Sequence, residues 1–169
     1  MSDTLHAPWR MDYIRSLEKP TSGCFLCEAA NITPTVQQLR DRLILWTTEH
    51  STVMLNRFPY TNGHLLISPR RHVADLPDLT PAEMTDLHTQ TARAITLLRL
   101  VVSAQGFNIG INLGRCAGAG VPGHLHQHLV PRWGGDVNFM SVVGEVRVVP
   151  QALQKLYDEL LAAHHDACP

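Results

Sequence analysis

The chain has 169 residues, 44% of them hydrophobic, which is enough for a buried core of ordinary domain size. Fourteen lysines and arginines stand against fifteen acidic residues, a formal charge of −1. That balance excludes the broad basic field of a general nucleic-acid binder, so a polyanionic ligand must be held by local groups.

Residues 1–20 read as an N-terminal arm carrying Trp9 and Tyr13, closed off by turn residues Lys19-Pro20-Thr21-Ser22-Gly23. A single domain over 21–165 and a tail at 166–169 are expected. Residues 28–41 are mixed and polar and suggest no regular element. Leu43–Thr47 and Thr52–Asn56 are apolar or β-branched runs that predict strands, and His64–Ser68 predicts another, stopped by Pro69. Thr80-Pro81-Ala82-Glu83 opens a helix, with Thr80 as N-cap, Pro81 in the first turn and Glu83 closing a capping box. Met84, Leu87, Ala94, Leu98 and Val101 give that helix one apolar face, and Gly106 is expected to end it. Phe107–Leu113 alternates like a half-buried strand. Gly114–Gly123 is a glycine-rich loop, and His124–Val130 is a strand ended by Pro131. A last helix is expected from Pro150 to Ala163. Strands at hairpin spacing with segregated helices predict an α+β fold on an antiparallel sheet. No apolar run is long enough to span a membrane and no signal-peptide pattern is present, so a cytoplasmic protein with no membrane or nucleic-acid partner is expected.

The strongest chemical signal is His124-Leu125-His126-Gln127-His128. On a strand, residues i, i+2 and i+4 share one face, about 6.6 Å apart along the backbone, so three imidazoles are expected in one row. Leu125 and Leu129 then face a core, as would Gln127 unless the sheet twists it toward solvent. Three readings compete for the row: an exposed polar sheet face, a metal site, or a nucleophile with partners. A neutral imidazole can attack phosphorus at neutral pH, forming a phosphoramidate that water, phosphate or another acceptor releases. The glycine-rich loop leading into the row favours the third reading, because closely approaching backbone N–H groups can cradle a phosphate. Cys24-Phe25-Leu26-Cys27 has metal-ligand spacing, and in a reducing compartment a disulfide framework is not expected.

With its alternating histidines, the segment resembles the histidine triad (HIT) family, with Gln127 standing where the family pattern has an apolar residue. The stretch His124–Met140, Ala7–Met11 in the arm and Asn56–His64 are similar to the bacterial diadenosine tetraphosphate phosphorylase branch. The resemblance implies a five-stranded antiparallel sheet with two main helices, and a homodimer. It implies His126 as nucleophile, forming a nucleotidyl intermediate on the α-phosphate of an adenine dinucleotide polyphosphate, with His128 contacting the phosphate and phosphate or water as final acceptor. Asn56 is implied to bind ribose, His64 to line the phosphate site, and Asn112 to lie near the scissile phosphate. Gly118, Gly120 and Val121 belong to the implied nucleotide-binding loop. Gly120 and Val121 occupy positions where relatives carry a Ser or Gln, leaving only backbone N–H groups there. The resemblance also implies a structural zinc held by Cys24, Cys27, His72 and His124, with His50 as rival to His72. Other readings remain open at this point: a nucleoside phosphoramidate hydrolase, a non-catalytic nucleotide-binding protein, or a metalloenzyme using the histidine row directly. Arginines 70, 71, 115 and 132 and tryptophans 9, 46 and 133 are candidates for phosphate and adenine contacts, with surface charge and core packing as the plainer alternatives.

Overall fold

The computed structural model of the protein describes residues 23–30, 35–136 and 151–167. The expected arm, the segment 137–150 and Cys168 lie outside the described residues. Strands β1 (Ile44–Thr47), β2 (Ser51–Leu55), β3 (Leu65–Pro69), β4 (Gly106–Ile111) and β5 (Gln127–Arg132) form one sheet. All pairings are antiparallel, in the order β1-β2-β3-β5-β4. Helices α1 (Phe25–Ala30) and α2 (Val36–Asp41) are short; α3 (Pro81–Val102) and α4 (Leu153–Ala167) are the two main ones. This is the expected α+β architecture. No helix among the described residues is long and apolar enough to cross a membrane.

The sheet has two unlike faces. Val53, Leu55, Leu65, Ile67 and Leu129 pack with Leu87, Ala94 and Leu98 of α3 and with Leu156, Tyr157 and Leu160 of α4. The buried Tyr157 hydroxyl donates to the Ile44 carbonyl at 2.8 Å, tying α4 to β1. On the opposite face Ile44, Met54 and Leu66 meet Leu26 and Ala29 of the short α1, with Leu39 of α2 and Cys24 packed beside them. His128 pairs with Leu66 across the ladder, so it stands on this second face, away from the long helices.

Local chemistry accounts for the helix starts. Thr80 accepts from the Glu83 amide while the Glu83 carboxylate accepts from the Thr80 amide, the capping box expected from sequence. Arg71 adds two bonds to that carboxylate at 2.8 Å, and these, with the bonds from Thr80, hold Glu83 down at about 2.

Four expectations need correction. Within the span 28–41, residues 28–30 and 36–41 are helical: α2 starts with its own capping box, Thr35 with Gln38, a Thr-x-x-Gln signal visible in the sequence. Helix α3 ends before Gly106, at Val102, because Ser103 turns left-handed at φ 50° and donates to the Leu98 carbonyl. Helix α4 runs Leu153–Ala167, later than expected. Strand β5 begins at Gln127, so His124 and His126 lie on its approach. The reason is Pro69: the register pairing Ile67 with Gln127 would set Pro69 opposite Leu125, and proline has no N–H to donate. The Leu125 amide instead bonds the Val73 carbonyl at 2.7 Å.

Candidate active site and metal centre

The expected row of three imidazoles divides into two groups. His126 and His128 keep company, their rings edge to face with centroids 5.1 Å apart. The third member beside them is His64, whose ring centre is 5.2 Å from that of His128. His124 turns instead toward the N-terminal segment, its ring 5.1 Å from that of His72.

Hydrogen-bond partners assign the protons. The Tyr60 amide can only donate, and it donates to Nδ1 of the fully buried His64 at 3.1 Å. His64 Nδ1 is therefore bare and Nε2 carries the proton, which points at His128 Nδ1 at 3.0 Å. That leaves the proton of neutral His128 on Nε2. His126 Nδ1 faces the His124 carbonyl at 2.9 Å, and a carbonyl only accepts, so Nδ1 is protonated and Nε2 keeps its lone pair. The two rings thus offer different functions, a lone pair on His126 and an N–H on His128. Burial lowers both from the usual imidazole range, His126 partly offset by its carbonyl bond and His128 reaching about 4, helped by the neighbouring charge of His126. Both are neutral at pH 7.

The loops around this pair take shape from the strands. Gly110 pairs with His128 and Ile111 with Gln127, and the half-buried Asn112 follows directly where this ladder ends. A Cβ added at Gly110 would meet nothing within 4 Å among the described residues, which leaves open space beside His128. In the glycine loop, Gly118 is left-handed at φ 87° and its amide is committed to the Arg115 carbonyl, as the Ala119 amide is to Gly114. Among the described residues no such backbone bond engages the amides of Gly120 and Val121, which precede the turn that returns the His124 amide to the Val121 carbonyl at 3.2 Å. Asn56 spends its carboxamide locally, Oδ1 accepting from the Phe58 amide at 3.0 Å and Nδ2 donating to His64 at 3.3 Å. Tyr60, which spacing alone does not flag, lies over both His64 and His128, 4.7 and 5.9 Å between ring centres.

Cys24, Cys27, His72 and His124 bring four donor atoms within 4.8 Å of one another. Cys27 Sγ lies 3.0 Å from His72 Nδ1, and His124 Nδ1 lies 3.3 and 3.4 Å from the two sulfurs. Such separations suit metal bonds of about 2.0–2.3 Å in a tetrahedral set. Burial and the adjacent Cys24 raise the Cys27 thiol, a crowding that a cation among the donors would relieve. His124 Nε2 donates to the Pro69 carbonyl at 2.8 Å, the outer-sphere bond that orients a ligating imidazole. His50 is not in this set; it borders a separate shallow cavity with Glu49, Arg70, Arg71 and Glu83.

Of the arginine and tryptophan candidates, Arg70, Arg71, Arg132, Trp46 and Trp133 make structural contacts, and Trp9 lies outside the described residues. Arg70 donates to the carbonyls of Ala30 and Thr48, Arg71 pairs with Glu83, and Arg132 with Asp136 and Asn108. Trp46 is buried against Gln90, and the Trp133 indole donates to the Val102 carbonyl.

Comparison with known proteins places these features in context. The HIT domain model matches residues 37–135. The AP-4-A phosphorylase of Mycobacterium tuberculosis is 38% identical over 152 residues, covering 89% of this chain and 78% of that protein. The asymmetrical bis(5'-nucleosyl)-tetraphosphatase of Schizosaccharomyces pombe is 41% identical over 100 residues, 59% of this chain and 54% of that one. Among solved structures, a Zn-bound histidine triad family protein from Mycobacterium smegmatis superposes with a TM-score of 0.67 at 26% identity, covering 86% of this chain and 95% of its own.

Proposed function

This chain belongs to the HIT family, and on that premise we propose that it is a dinucleoside polyphosphate phosphorylase or hydrolase, acting foremost on diadenosine tetraphosphate. The observation that carries this reading is the pair of tautomers: a bare His126 Nε2 next to a protonated His128 Nε2, on the face the long helices leave open. His126 Nε2 attacks the α-phosphorus, a P–N bond forms as the bond to the bridging oxygen breaks, and the remaining nucleoside polyphosphate leaves. Phosphate or water then attacks the nucleotidyl-histidine and restores the free imidazole. His128 Nε2–H stabilises the phosphoryl oxygens, joined by the amides of Gly120 and Val121, while Gly118 shapes the turn that presents them. His64 lies behind His128 and fixes its tautomer. Asn112 sits near the scissile phosphate, and Asn56, its carboxamide oriented by Phe58 and His64, offers its remaining lone pair and N–H to the ribose.

Zinc is the metal we assign to Cys24, Cys27, His72 and His124, since two thiolates and two imidazoles form its closed structural donor set. Bound there, it supplies a cross-link between α1, the segment after β3 and the approach to β5. With Nδ1 given to the metal and Nε2–H to Pro69, His124 has no nitrogen left to act as a base. A homodimer is the expected assembly. Among the described residues β4 is an outer strand with Asn108, Ile109 and Gly110 exposed, and Ile109 is 49% accessible, as suits an edge that another copy covers.

A second reading has one observation in its favour. Gly120 and Val121 offer no side-chain donor to a leaving group, which suits a phosphoramidate substrate or nucleotide binding without turnover.

The test is incubation with diadenosine tetraphosphate, with and without phosphate, and chromatography of the products. ATP plus ADP formed only with phosphate establishes the phosphorylase; ATP plus AMP without it establishes the hydrolase. Two ADP, or no product, overturns attack at the α-phosphorus of this substrate. His126→Ala should lose at least about 10³-fold in kcat while remaining folded.

A further inference from the structure

Gln127 stands between the two working histidines, and its side chain goes the other way. It is 5% exposed, on the face where Leu125 and Leu129 pack against α3. Its Nε2 donates to the Thr91 hydroxyl at 2.7 Å, and Thr91, 7% exposed, donates its own hydroxyl hydrogen to the Leu87 carbonyl at 2.7 Å. An amide nitrogen can only donate and the hydroxyl hydrogen is already spent on Leu87, so the direction of both bonds is fixed.

We propose that this Gln127–Thr91 link is a positioning strut for the nucleophile, a role that rests on His126 being one. A leucine here would pack as Leu125 and Leu129 do, without the cost of desolvating an amide. What the amide adds is direction: apolar packing tolerates sliding, whereas a buried hydrogen bond holds one alignment. The place matters as well. Gln127 is the first residue of β5 and pairs with Ile67 on one side and Ile111 on the other. One residue earlier, at His126, the regular ladder has ended. Gln127 is therefore the last point at which the sheet grips the chain before the nucleophile, and the strut adds a third hold, perpendicular to the sheet, running into the main chain of α3. It touches neither substrate nor reacting atoms. Its loss lets His126 shift relative to His128, and a misplacement of about 1 Å at a reacting group costs roughly 100-fold in rate.

Gln127→Met keeps the volume and removes the bond, as Thr91→Val does from the other side, and Thr91→Ser restores the hydroxyl. With diadenosine tetraphosphate and zinc-loaded protein, Gln127→Met and Thr91→Val should each lower kcat by at least about tenfold, with KM within about threefold. Melting temperature should move by less than about 3 °C. The double variant should be no slower than the slower single one, and Thr91→Ser should keep wild-type kcat. Unchanged kcat in Gln127→Met, or losses that multiply in the double variant, overturn the strut. An inert wild type would overturn the proposed activity instead, and the strut would then be read without substrate from imidazole nitrogen NMR. His126 should be a single Nδ1–H tautomer in the wild type and a mixture in Gln127→Met; the same single tautomer in both overturns it.

Discussion

His64 Nε2 lies 3.0 Å from His128 Nδ1, and the backbone amide of Tyr60 fixes which of the two carries the proton between them. The far side of His128 is thereby set as a donor by a residue fully buried behind it. His64→Phe keeps a ring in the same space and leaves His128 free to change tautomer. We expect kcat for diadenosine tetraphosphate to fall roughly 10- to 100-fold, with a smaller change in KM. Equal loss in KM alone would mean that His64 meets the substrate directly.

Acid should weaken the fold through His128. Its ordinary value of 6.5 drops to about 4 in the folded chain because burial disfavours the cation. The unfolded chain therefore binds more protons between those values. The stabilisation is fully present above pH 6.5 and is lost as pH falls toward 4. Melting temperature followed from pH 7.5 to 4 should decline over this window, and His128→Asn should decline less steeply. Identical slopes would assign the acid sensitivity elsewhere.

Removing the metal should loosen one side of the sheet. Metal analysis of the purified protein should find one zinc per chain, and Cys24→Ser should lower that occupancy. A strong chelator should reduce the melting temperature by more than about 10 °C, since ligand binding energy of this class is folding energy. Added zinc should restore it. Full activity in stable, metal-free protein would remove the structural role.

Ser103 offers a gain. It closes α3 in the left-handed region at φ 50°, where glycine has no Cβ to crowd. Ser103→Gly should stabilise the protein by about 0.5–1 kcal/mol, a rise of roughly 1–3 °C in melting temperature, with kcat unaltered. A lower melting temperature would mean that added freedom in the unfolded chain outweighs the relief.

The strands, apart from the start of β5, and the capping box of α3 were legible in period and turn residues. The division of the histidines was implied by the resemblance alone, not by period. Period-two alternation places His124, His126 and His128 in one row, but Pro69 ends the ladder on the neighbouring strand, and His124 is then free to turn toward Cys24 and Cys27. A proline's effect on a strand distant in sequence depends on a register that spacing does not give. His64 was readable as a site residue, but its position behind His128 follows from the β3–β5 pairing. Gln127 could be marked as a departure from the family pattern; that its partner would be Thr91, 36 residues earlier, required the packing of α3 on the sheet.

The strand that carries His128 is held on both sides, by β3 and by β4, and from behind by α3. Amide protons at its centre should therefore exchange with solvent only when the whole molecule unfolds. A platform that rigid cannot adapt to its substrate. Whatever closing and opening accompanies each turnover falls to the surrounding loops, the glycine turn after Asn112 and the bend from Asn56 to Gly63, and the pace of product departure should be set there.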